Sequence, residues 1–208
     1  MVSEPRFSIG ALVLAAGGSR RLGFPKQLLT FRGSPLVARA AGAALDAGAR
    51  PVIVVLGADS DLTVPVLMGI DGITTVINEG WRSGVASSLT AGIAALLEHG
   101  ELDGFLVTLV DQPKIGAAAL QRLIDAFDDG HRIVASSYAE TIGVPAIFGK
   151  EFADELLKLT GDTGAKQFLL ERADDVTLVE MPEAEMDIDT VNDIDGMREA
   201  DTTEWPKT

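Results

Sequence analysis

Apolar residues along this chain fall into short runs that alternate with longer stretches of mixed character. These runs predict strands at Ile9–Ala16, Pro51–Leu56, Ile73–Ile77, Phe105–Val110, Arg132–Ser136, Val144–Phe148 and Val176–Met181. The first and fourth runs are continuously apolar and lack the alternation of a half-exposed strand. They are therefore typical of strands that are buried on both faces of a parallel sheet.

The stretches between these runs predict helices. They are expected at Ser34–Gly48, Val85–His99, Gly116–Phe127, Lys150–Leu159 and Thr163–Glu171. Ser34, Pro35 and Gly48 have the order of a cap, a first-turn proline and a terminal glycine. A last helix is expected after Thr190, which would cap it with Asp193 three residues on.

Strands that alternate with helices indicate βαβ crossovers. We therefore expect an α/β fold with three layers, α/β/α, around a Rossmann-like, mostly parallel sheet. There is no repeat, low-complexity tract or linker, so residues 1–208 are expected to form a single domain. A disordered tail is the expectation for about 196–208, which ends in Trp205 and Pro206.

Composition narrows the class of protein. The chain has 208 residues, of which 47% are hydrophobic and 23% charged, and it contains no cysteine. This is typical of a soluble globular protein without a disulfide framework or a thiolate metal site, and a cytoplasmic location is expected. The longest uncharged stretches, such as Gly84–Leu97, are too short to cross a bilayer, and the N-terminus with Glu4 does not resemble a signal peptide.

Charge is distributed unevenly along the chain. The formal net charge is −14, which argues against nucleic acid or an anionic membrane as a partner. The segment 5–45, however, has no acidic residue and six basic ones, Arg6, Arg20, Arg21, Lys26, Arg32 and Arg39. Such a stretch either reflects segregated surface charge or binds a small anion.

A glycine-rich loop follows the first predicted strand, on the edge of the sheet where ligands bind in such folds. It reads LAAGGSRRLGFPK from Leu14 to Lys26. Ser19 and Phe24 exclude the G-x-G-x-x-G and G-x-x-x-x-G-K-[ST] patterns. Small residues let backbone N–H groups approach an anion, which Arg21 and Lys26 can neutralise, so the loop predicts a polyphosphate site.

The loop resembles the pattern L-A-A-G-x-S-x-R-x-G-x-x-K of the MobA-like NTP transferase family, and most closely its molybdenum cofactor (molybdopterin) cytidylyltransferases. The resemblance implies a nucleotide-diphospho-sugar transferase-like fold and a loop that wraps the triphosphate. It implies catalytic roles for Arg21 and Lys26, and nucleotide binding by Ala15, Ala16, Gly17, Gly18, Ser19, Arg21, Gly23 and Lys26. Guanylyl-transferring relatives usually have L-A-G-G, so Ala16 favours CTP.

Two carboxylates are candidates for binding a metal ion. Asp111 ends an apolar strand, and a carboxylate placed there suits a hard cation such as Mg²⁺, although a helix cap or a loop salt bridge would use the same residue. In the resembling family, D-Q-P at this strand end is the metal position, which implies a catalytic role for Asp111. The family's second ligand lies near Asp187 and Asp189, and we favour Asp189. Without the resemblance, this D-x-D pair is typical of an acidic surface.

Two further parts of the chain match the family. Residues 78–89 resemble its base- and ribose-binding segment, which implies nucleotide binding by Asn78, Gly84 and Ser88. Residues 143–148 and 161–166 resemble its acceptor side, which implies acceptor binding by Gly143, Pro145, Gly161 and Gly164. Packing residues and turn glycines would produce similar patterns. The resemblance extends from about Ala11 to Asp195.

The reactive residues of the chain do not form a hydrolytic motif. The two histidines, His99 and His131, have no serine or acidic partner in a nucleophile motif, and G-x-S-x-G is absent, so neither a triad nor a zinc site is supported. Nucleotidyl transfer needs neither, because a phosphate nucleophile is already ionised at neutral pH. The protein then mainly positions the reactants and neutralises charge.

We therefore expect a Mg²⁺-dependent nucleotidyltransferase that transfers CMP from CTP to a phosphorylated small molecule and releases pyrophosphate. The resemblance alone identifies the acceptor as molybdopterin, and it suggests a molybdoenzyme as a partner. Rival hypotheses keep the reaction but use GTP with the same pterin, or a sugar or polyol phosphate as acceptor. A rival of another class is a non-catalytic nucleotide-binding regulator or a cofactor chaperone, against which the intact Arg21, Lys26 and Asp111 count.

Overall fold

The computed structural model describes residues 7–128 and 130–200. Its strands are β1 (Ile9–Ala15), β2 (Thr30–Phe31), β3 (Ser34–Pro35), β4 (Val52–Leu56), β5 (Ile73–Ile77), β6 (Gly104–Leu109), β7 (Ile133–Tyr138), β8 (Thr141–Gly149) and β9 (Thr177–Glu180). Seven of these described strands form one sheet in the order β5-β4-β1-β6-β8-β7-β9, and β2 and β3 form a separate antiparallel ribbon.

Helices cover both faces of this sheet. They are α1 (Leu36–Asp46), α2 (Ser60–Leu67), α3 (Val85–Glu98), α4 (Ala117–Asp128), α5 (Ala153–Leu156), α6 (Ala165–Glu171) and α7 (Val191–Ala200). One apolar cluster joins the sheet to α1, α2, α4 and α7, and a second joins its other face to α3, α5 and α6. The predicted α/β/α layering is confirmed.

The sheet is mostly parallel, as predicted. β1 runs parallel to β4 and β6. Its apolar side chains are buried in the two clusters on the two faces of the sheet. β8 runs antiparallel to β6 and β7. The reason is local: β7 and β8 are joined by a tight turn in which Ala139 and Glu140 have φ values of 45° and 58°, the conformation that a two-residue hairpin requires.

The predicted strands are confirmed to within a few residues, whereas some helical predictions need correction. Ser34 does not cap α1, because it lies in β3 and the helix begins without a side-chain cap. The helix predicted at Lys150–Leu159 is a 3-10 turn followed by the single turn of α5. α2 was not predicted, and it contains Pro65, which breaks the usual helical pattern.

The C-terminal end of the described chain is helical. α7 begins after Thr190 as predicted, and the Asp193 carboxylate accepts hydrogen bonds from the N–H and hydroxyl groups of Thr190. Residues 196–200 of the expected tail belong to α7, and residues 201–208, with Trp205 and Pro206, lie outside the described residues. No helix in the described part of the chain is long and apolar enough to span a membrane.

The position of α3 depends on one close contact with the sheet. A Cβ atom on Gly92 would lie 2.0 Å from Cδ1 of Leu12, so only glycine lets the helix lie this near to β1. α3 follows β5, which runs parallel to β4 and β1, so its N-terminus lies at the edge of the sheet where these strands end.

Candidate active site

Four of the predicted site residues meet at the carboxyl edge of the sheet. The Lys26 ammonium nitrogen lies 2.9 Å from Oδ2 of Asp111 and 2.7 Å from Oδ1 of Asp189. The exposed Arg21 guanidinium lies 3.5 Å from Oδ2 of Asp189. The fold thus joins the loop after β1, the end of β6 and the segment before α7, although Lys26 and Asp189 are 163 residues apart.

Lys26 is a largely buried cation. Its side chain is 10% exposed, and burial lowers its pKa. The charges and hydrogen bonds of Asp111 and Asp189 outweigh this effect, so the pKa of Lys26 lies above its ordinary value. The lysine is therefore protonated at neutral pH and compensates the two carboxylates.

Asp111 has one oxygen without a partner. Oδ1 is buried and accepts no hydrogen bond from any described residue, whereas Oδ2 is bound by Lys26. A buried carboxylate oxygen without a donor is costly, and such an atom indicates a ligand or cation that satisfies it. This atom lies at the end of β6, where the predicted metal site is expected.

The two carboxylates fit a magnesium ion that is shared with phosphate groups. Within residues 7–128 and 130–200, no three His, Cys, Asp or Glu side chains are grouped so as to hold a metal by themselves. Mg²⁺ is commonly held by one or two carboxylates together with substrate phosphates, which is the donor set that Asp111 and Asp189 offer. Asp187 is a third acidic group nearby: partial burial raises its pKa, and the charges of Asp111 and Asp189 raise it further.

The loop between β1 and Lys26 is curled back on itself. Oγ of Ser19 accepts a hydrogen bond from the Lys26 N–H at 3.0 Å, and the Ser19 carbonyl accepts bonds from the N–H groups of Leu22 and Gly23. Ser19 and Gly23 have positive φ values of 45° and 78°. Of the predicted nucleotide-binding residues, Ala15 ends β1, Ala16, Gly17 and Gly18 lead away from the sheet, and Ser19 and Gly23 belong to a compact turn that Ser19 ties to Lys26.

The predicted nucleotide-binding residues before α3 hold that segment together. The buried side chain of Asn78 donates to the hydroxyl oxygens of Ser87 and Ser88 at 2.9 and 3.0 Å, and it accepts a bond from the Gly80 N–H at 2.9 Å. These bonds join the end of β5 to the first turns of α3. Roles for Asn78 and Ser88 in binding nucleotide stay predictions.

The segment before α3 packs directly on the predicted acceptor segment. A Cβ atom on Gly84 would lie 2.1 Å from the carbonyl oxygen of Gly161, and that oxygen accepts a hydrogen bond from the Ala86 N–H at 3.1 Å. Gly164 lies against Val85. Beside this contact is a cavity of about 380 Å³, mostly lined by apolar residues that include Leu14, Val85, Leu109, Val144, Gly164 and Ala165.

Gly143 and Pro145 are not among the residues that line this cavity. Both are buried within β8, where Gly143 lies against Tyr138 and the Pro145 carbonyl accepts a hydrogen bond from Ser136 at 2.6 Å. Val144, between them, is the residue that lines the cavity. Acceptor binding by Gly143, Pro145, Gly161 and Gly164 stays a prediction.

Sequence reasoning missed two buried glutamines at the site. Gln27 donates to the carbonyl groups of Ala15 and Gly17, and Gln112 donates to those of Val144 and Ala184. Each glutamine directly follows a predicted site residue, Lys26 or Asp111, at the end of a strand or loop. That adjacency is the signal that could have identified them.

Comparison with known proteins identifies the family of this chain. Residues 11–176 match the model of the MobA-like NTP transferase domain. The chain belongs to this family. The match includes the loop after β1, the segment before α3, Asp111 and both predicted acceptor segments, and it ends before Asp189. Asp189 of this MobA-like chain therefore lies outside the matched residues, and its contact with Lys26 is known from the structure.

Proteins that are similar to this chain are named for different reactions. The chain is 32% identical over 194 residues to nicotine blue oxidoreductase of Paenarthrobacter nicotinovorans, with 88% of this chain and 93% of that protein covered. It is 32% identical over 111 residues to a probable molybdenum cofactor guanylyltransferase of Opitutus terrae, with 53% and 52% covered. A relative's name therefore does not decide the substrate of this chain.

A solved structure shares the whole fold. The crystal structure of Rv0371c from Mycobacterium tuberculosis H37Rv superposes with a TM-score of 0.78 at 30% identity, covering 93% of this chain and 98% of that one. A complex of the same protein with manganese has a TM-score of 0.71 at 26% identity, with the same coverage. These matches extend the likeness beyond residue 176.

Proposed function

We propose that this MobA-like chain transfers CMP from CTP to the phosphate of molybdopterin and releases pyrophosphate. The observation that carries the proposal is the Lys26 ammonium, held between Asp111 and Asp189 at the end of a compact glycine-rich loop. The unpartnered Oδ1 of Asp111 supports it, because that atom can accept a cation that arrives with the nucleotide.

The proposed reaction joins the phosphate of the acceptor to the α-phosphate of CTP, and it needs no strong base. An oxygen of the acceptor phosphate attacks the α-phosphorus of CTP, the bond from that phosphorus to the bridging oxygen breaks, and pyrophosphate leaves with the electron pair. The acceptor oxygen is already ionised at neutral pH, so no proton has to be removed. Arg21 and Lys26 then act by binding and neutralising the triphosphate.

Asp111 and Asp189 are the residues that would hold Mg²⁺, which supplies positive charge to the phosphate groups when it is bound. The loop from Ala15 to Lys26 would bind the triphosphate, since its small residues let a phosphate group approach the main chain. The contact of Gly84 with Gly161 supports the proposal, because it joins the segment predicted to bind nucleotide to the segment predicted to bind the acceptor, as a transfer between two bound groups requires.

The choice of nucleotide and acceptor rests on fewer residues. Ala16 in the A-A-G form of the loop favours CTP, whereas the guanylyltransferase relative of Opitutus terrae keeps GTP as the rival. A cytoplasmic location and a molybdoenzyme that receives the product follow from the same proposal. A regulator without turnover is disfavoured, because pure binding does not require a second carboxylate beside Lys26.

A second candidate function is an oxidoreductase. It is favoured by the 32% identity with nicotine blue oxidoreductase, which spans 88% of this chain. The charged cluster of Lys26, Asp111 and Asp189 favours phosphoryl chemistry over this alternative, because its groups are those that bind and neutralise phosphates.

The test is a pyrophosphate-release screen of CTP, GTP, ATP and UTP with Mg²⁺ against molybdopterin, a sugar phosphate and a polyol phosphate. Oxidation of NADH and NADPH is followed in parallel wells with nicotine blue, the compound in the relative's name, as the electron acceptor. The proposal expects release with CTP and molybdopterin. Release with GTP selects the guanylyl rival, nicotinamide oxidation selects the oxidoreductase, and nucleotide binding without either reaction selects the regulator.

A further inference from the structure

Gln27 and Gln112 share one unusual arrangement. They are 1% and 5% exposed, and each uses its Nε2 group to donate to two main-chain carbonyl oxygens. In both, Oε1 is buried and has no hydrogen-bond partner in the part of the chain that the structure describes. An unpaired buried acceptor costs free energy. We therefore expect the donated bonds of each glutamine to stabilise the segments whose carbonyl groups it binds.

Gln27 holds the start of the glycine-rich loop. Its Nε2 lies 2.8 Å from the Ala15 carbonyl and 2.9 Å from the Gly17 carbonyl. Because these carbonyls are two residues apart at the end of β1, the amide fixes the direction in which the loop leaves the sheet. Gln27 also follows Lys26 directly, so it connects the loop to the residue that contacts both carboxylates.

Gln112 holds a different pair of segments. Its Nε2 lies 3.1 Å from the carbonyl of Val144 in β8 and 3.1 Å from that of Ala184, which are 32 and 72 residues away. Ala184 belongs to a 3-10 turn that leads to Asp187 and Asp189. Four residues on, the Ile188 N–H donates to the Asp111 carbonyl at 3.0 Å. The side chain of Gln112 and the main chain of Asp111 thus fix the segment that carries Asp189.

We propose that Gln27 and Gln112 are positioning residues that divide the site between them. Gln27 sets the shape of the loop that binds polyphosphate, and Gln112 sets the spacing of Asp111 and Asp189 for a divalent cation. The inference rests on the proposed function, because it takes the loop and the two carboxylates in those roles. Groups that orient metal ligands typically change metal affinity by about 10- to 100-fold when they are removed.

The experiment uses Gln27→Met and Gln112→Met, which keep the length of the side chain and remove the donor. Each variant is the matched control of the other, since each loses two bonds to carbonyl groups from a buried position. Inorganic tripolyphosphate, without divalent cation, is titrated by calorimetry, and Mn²⁺ is titrated by electron paramagnetic resonance on protein that is saturated with tripolyphosphate. Thermal unfolding of both variants measures the structural cost separately.

We expect the two variants to lose affinity for different ligands. Gln27→Met weakens tripolyphosphate binding about tenfold and changes Mn²⁺ binding less than about twofold, and Gln112→Met does the reverse. A purely structural role predicts lower melting temperatures with equal losses of both ligands, and that result overturns the inference. Unchanged binding in both variants, or a wild-type protein that binds no Mn²⁺, also overturns it.

A second variant at Gln112 and the choice of probes keep the test decisive. If Gln112→Met does not fold, Gln112→Leu is used, because leucine is uncharged and also cannot donate. Neither probe requires an acceptor or turnover. An opposite pattern without pyrophosphate release therefore rejects the proposed transfer reaction alone, whereas release without the pattern rejects the division of roles alone.

Discussion

The Lys26 ammonium lies 2.9 Å from Oδ2 of Asp111, whereas Oδ1 of the same carboxylate is buried and unpaired among the described residues. The lysine thus satisfies one side of the carboxylate and leaves the other side for a group that a ligand brings. Because Asp189 binds the same ammonium at 2.7 Å, Lys26 holds the two predicted metal carboxylates together.

Asp111→Asn is expected to lower the rate of pyrophosphate release by about 100-fold or more, because the neutral amide cannot hold a cation as the carboxylate does. Asp189→Asn is expected to give a loss of the same kind, and Asp187→Asn a much smaller one. Steady-state kinetics of the three variants measure this. If Asp187→Asn loses as much as Asp111→Asn and Asp189→Asn does not, the second metal ligand is Asp187.

Lys26→Met is expected to destabilise the protein by about 2–3 kcal/mol. It removes the cation from a largely buried cluster and leaves the carboxylates of Asp111 and Asp189 facing each other. Urea unfolding measures the change, with the exposed Lys158→Met as a control that is expected to lie within about 0.5 kcal/mol of the wild type. Equal stability of the two variants contradicts a compensating role for Lys26.

Asp187→Asn is expected to stabilise the folded protein at neutral pH. Partial burial, together with the charges of Asp111 and Asp189, raises the pKa of Asp187 in the folded state above its ordinary value. The folded state therefore binds a proton more tightly than the unfolded state, and its stability falls as pH rises through the interval between the two pKa values. The stabilisation should appear above this interval and vanish below it, as melting temperatures from pH 3 to pH 8 can show.

Gly84→Ala is expected to cost more stability than Gly100→Ala. Both glycines have positive φ, 115° and 120°, so alanine is strained at either position. At Gly100 no atom lies within 4 Å of the added Cβ, and we expect a loss of about 1–2 kcal/mol. At Gly84 the Cβ would also meet the Gly161 carbonyl at 2.1 Å, which adds about 1–3 kcal/mol for overpacking. Equal losses in urea unfolding contradict the tight contact between the two segments.

Much of the fold was predictable, because buried strands of a parallel sheet leave continuous apolar runs. The buried strands β1, β4 and β6 were predicted in this way to within a residue at each end. The edge strands β5 and β9 are only partly buried, and they were also predicted, β5 with its observed limits and β9 to within a residue at each end. The antiparallel direction of β8 was not predicted, since it depends on the turn at Ala139 and Glu140, which have no glycine or asparagine to mark it. Short elements such as α2 also lack a pattern of their own.

The candidate site was predictable residue by residue but not as an arrangement. The sequence patterns identified Lys26, Asp111 and Asp189 individually. Their mutual distances come from tertiary structure, because the three residues lie in segments that only the sheet brings together. Gln27 and Gln112 could have been singled out, because each directly follows a predicted site residue. Their hydrogen bonds could not be predicted, since they go to main-chain carbonyls, which any residue type supplies.

The central claim is tested most directly by following the α-phosphate of CTP. The protein is incubated with Mg²⁺, molybdopterin and CTP labelled with ³²P at the α-position, and the products are separated by chromatography. We predict that the label moves from CTP into a product that contains the pterin, with one pyrophosphate released for each transfer, and that Asp111→Asn gives no such product. Label that remains in CTP, or that appears only as free CMP, contradicts the account.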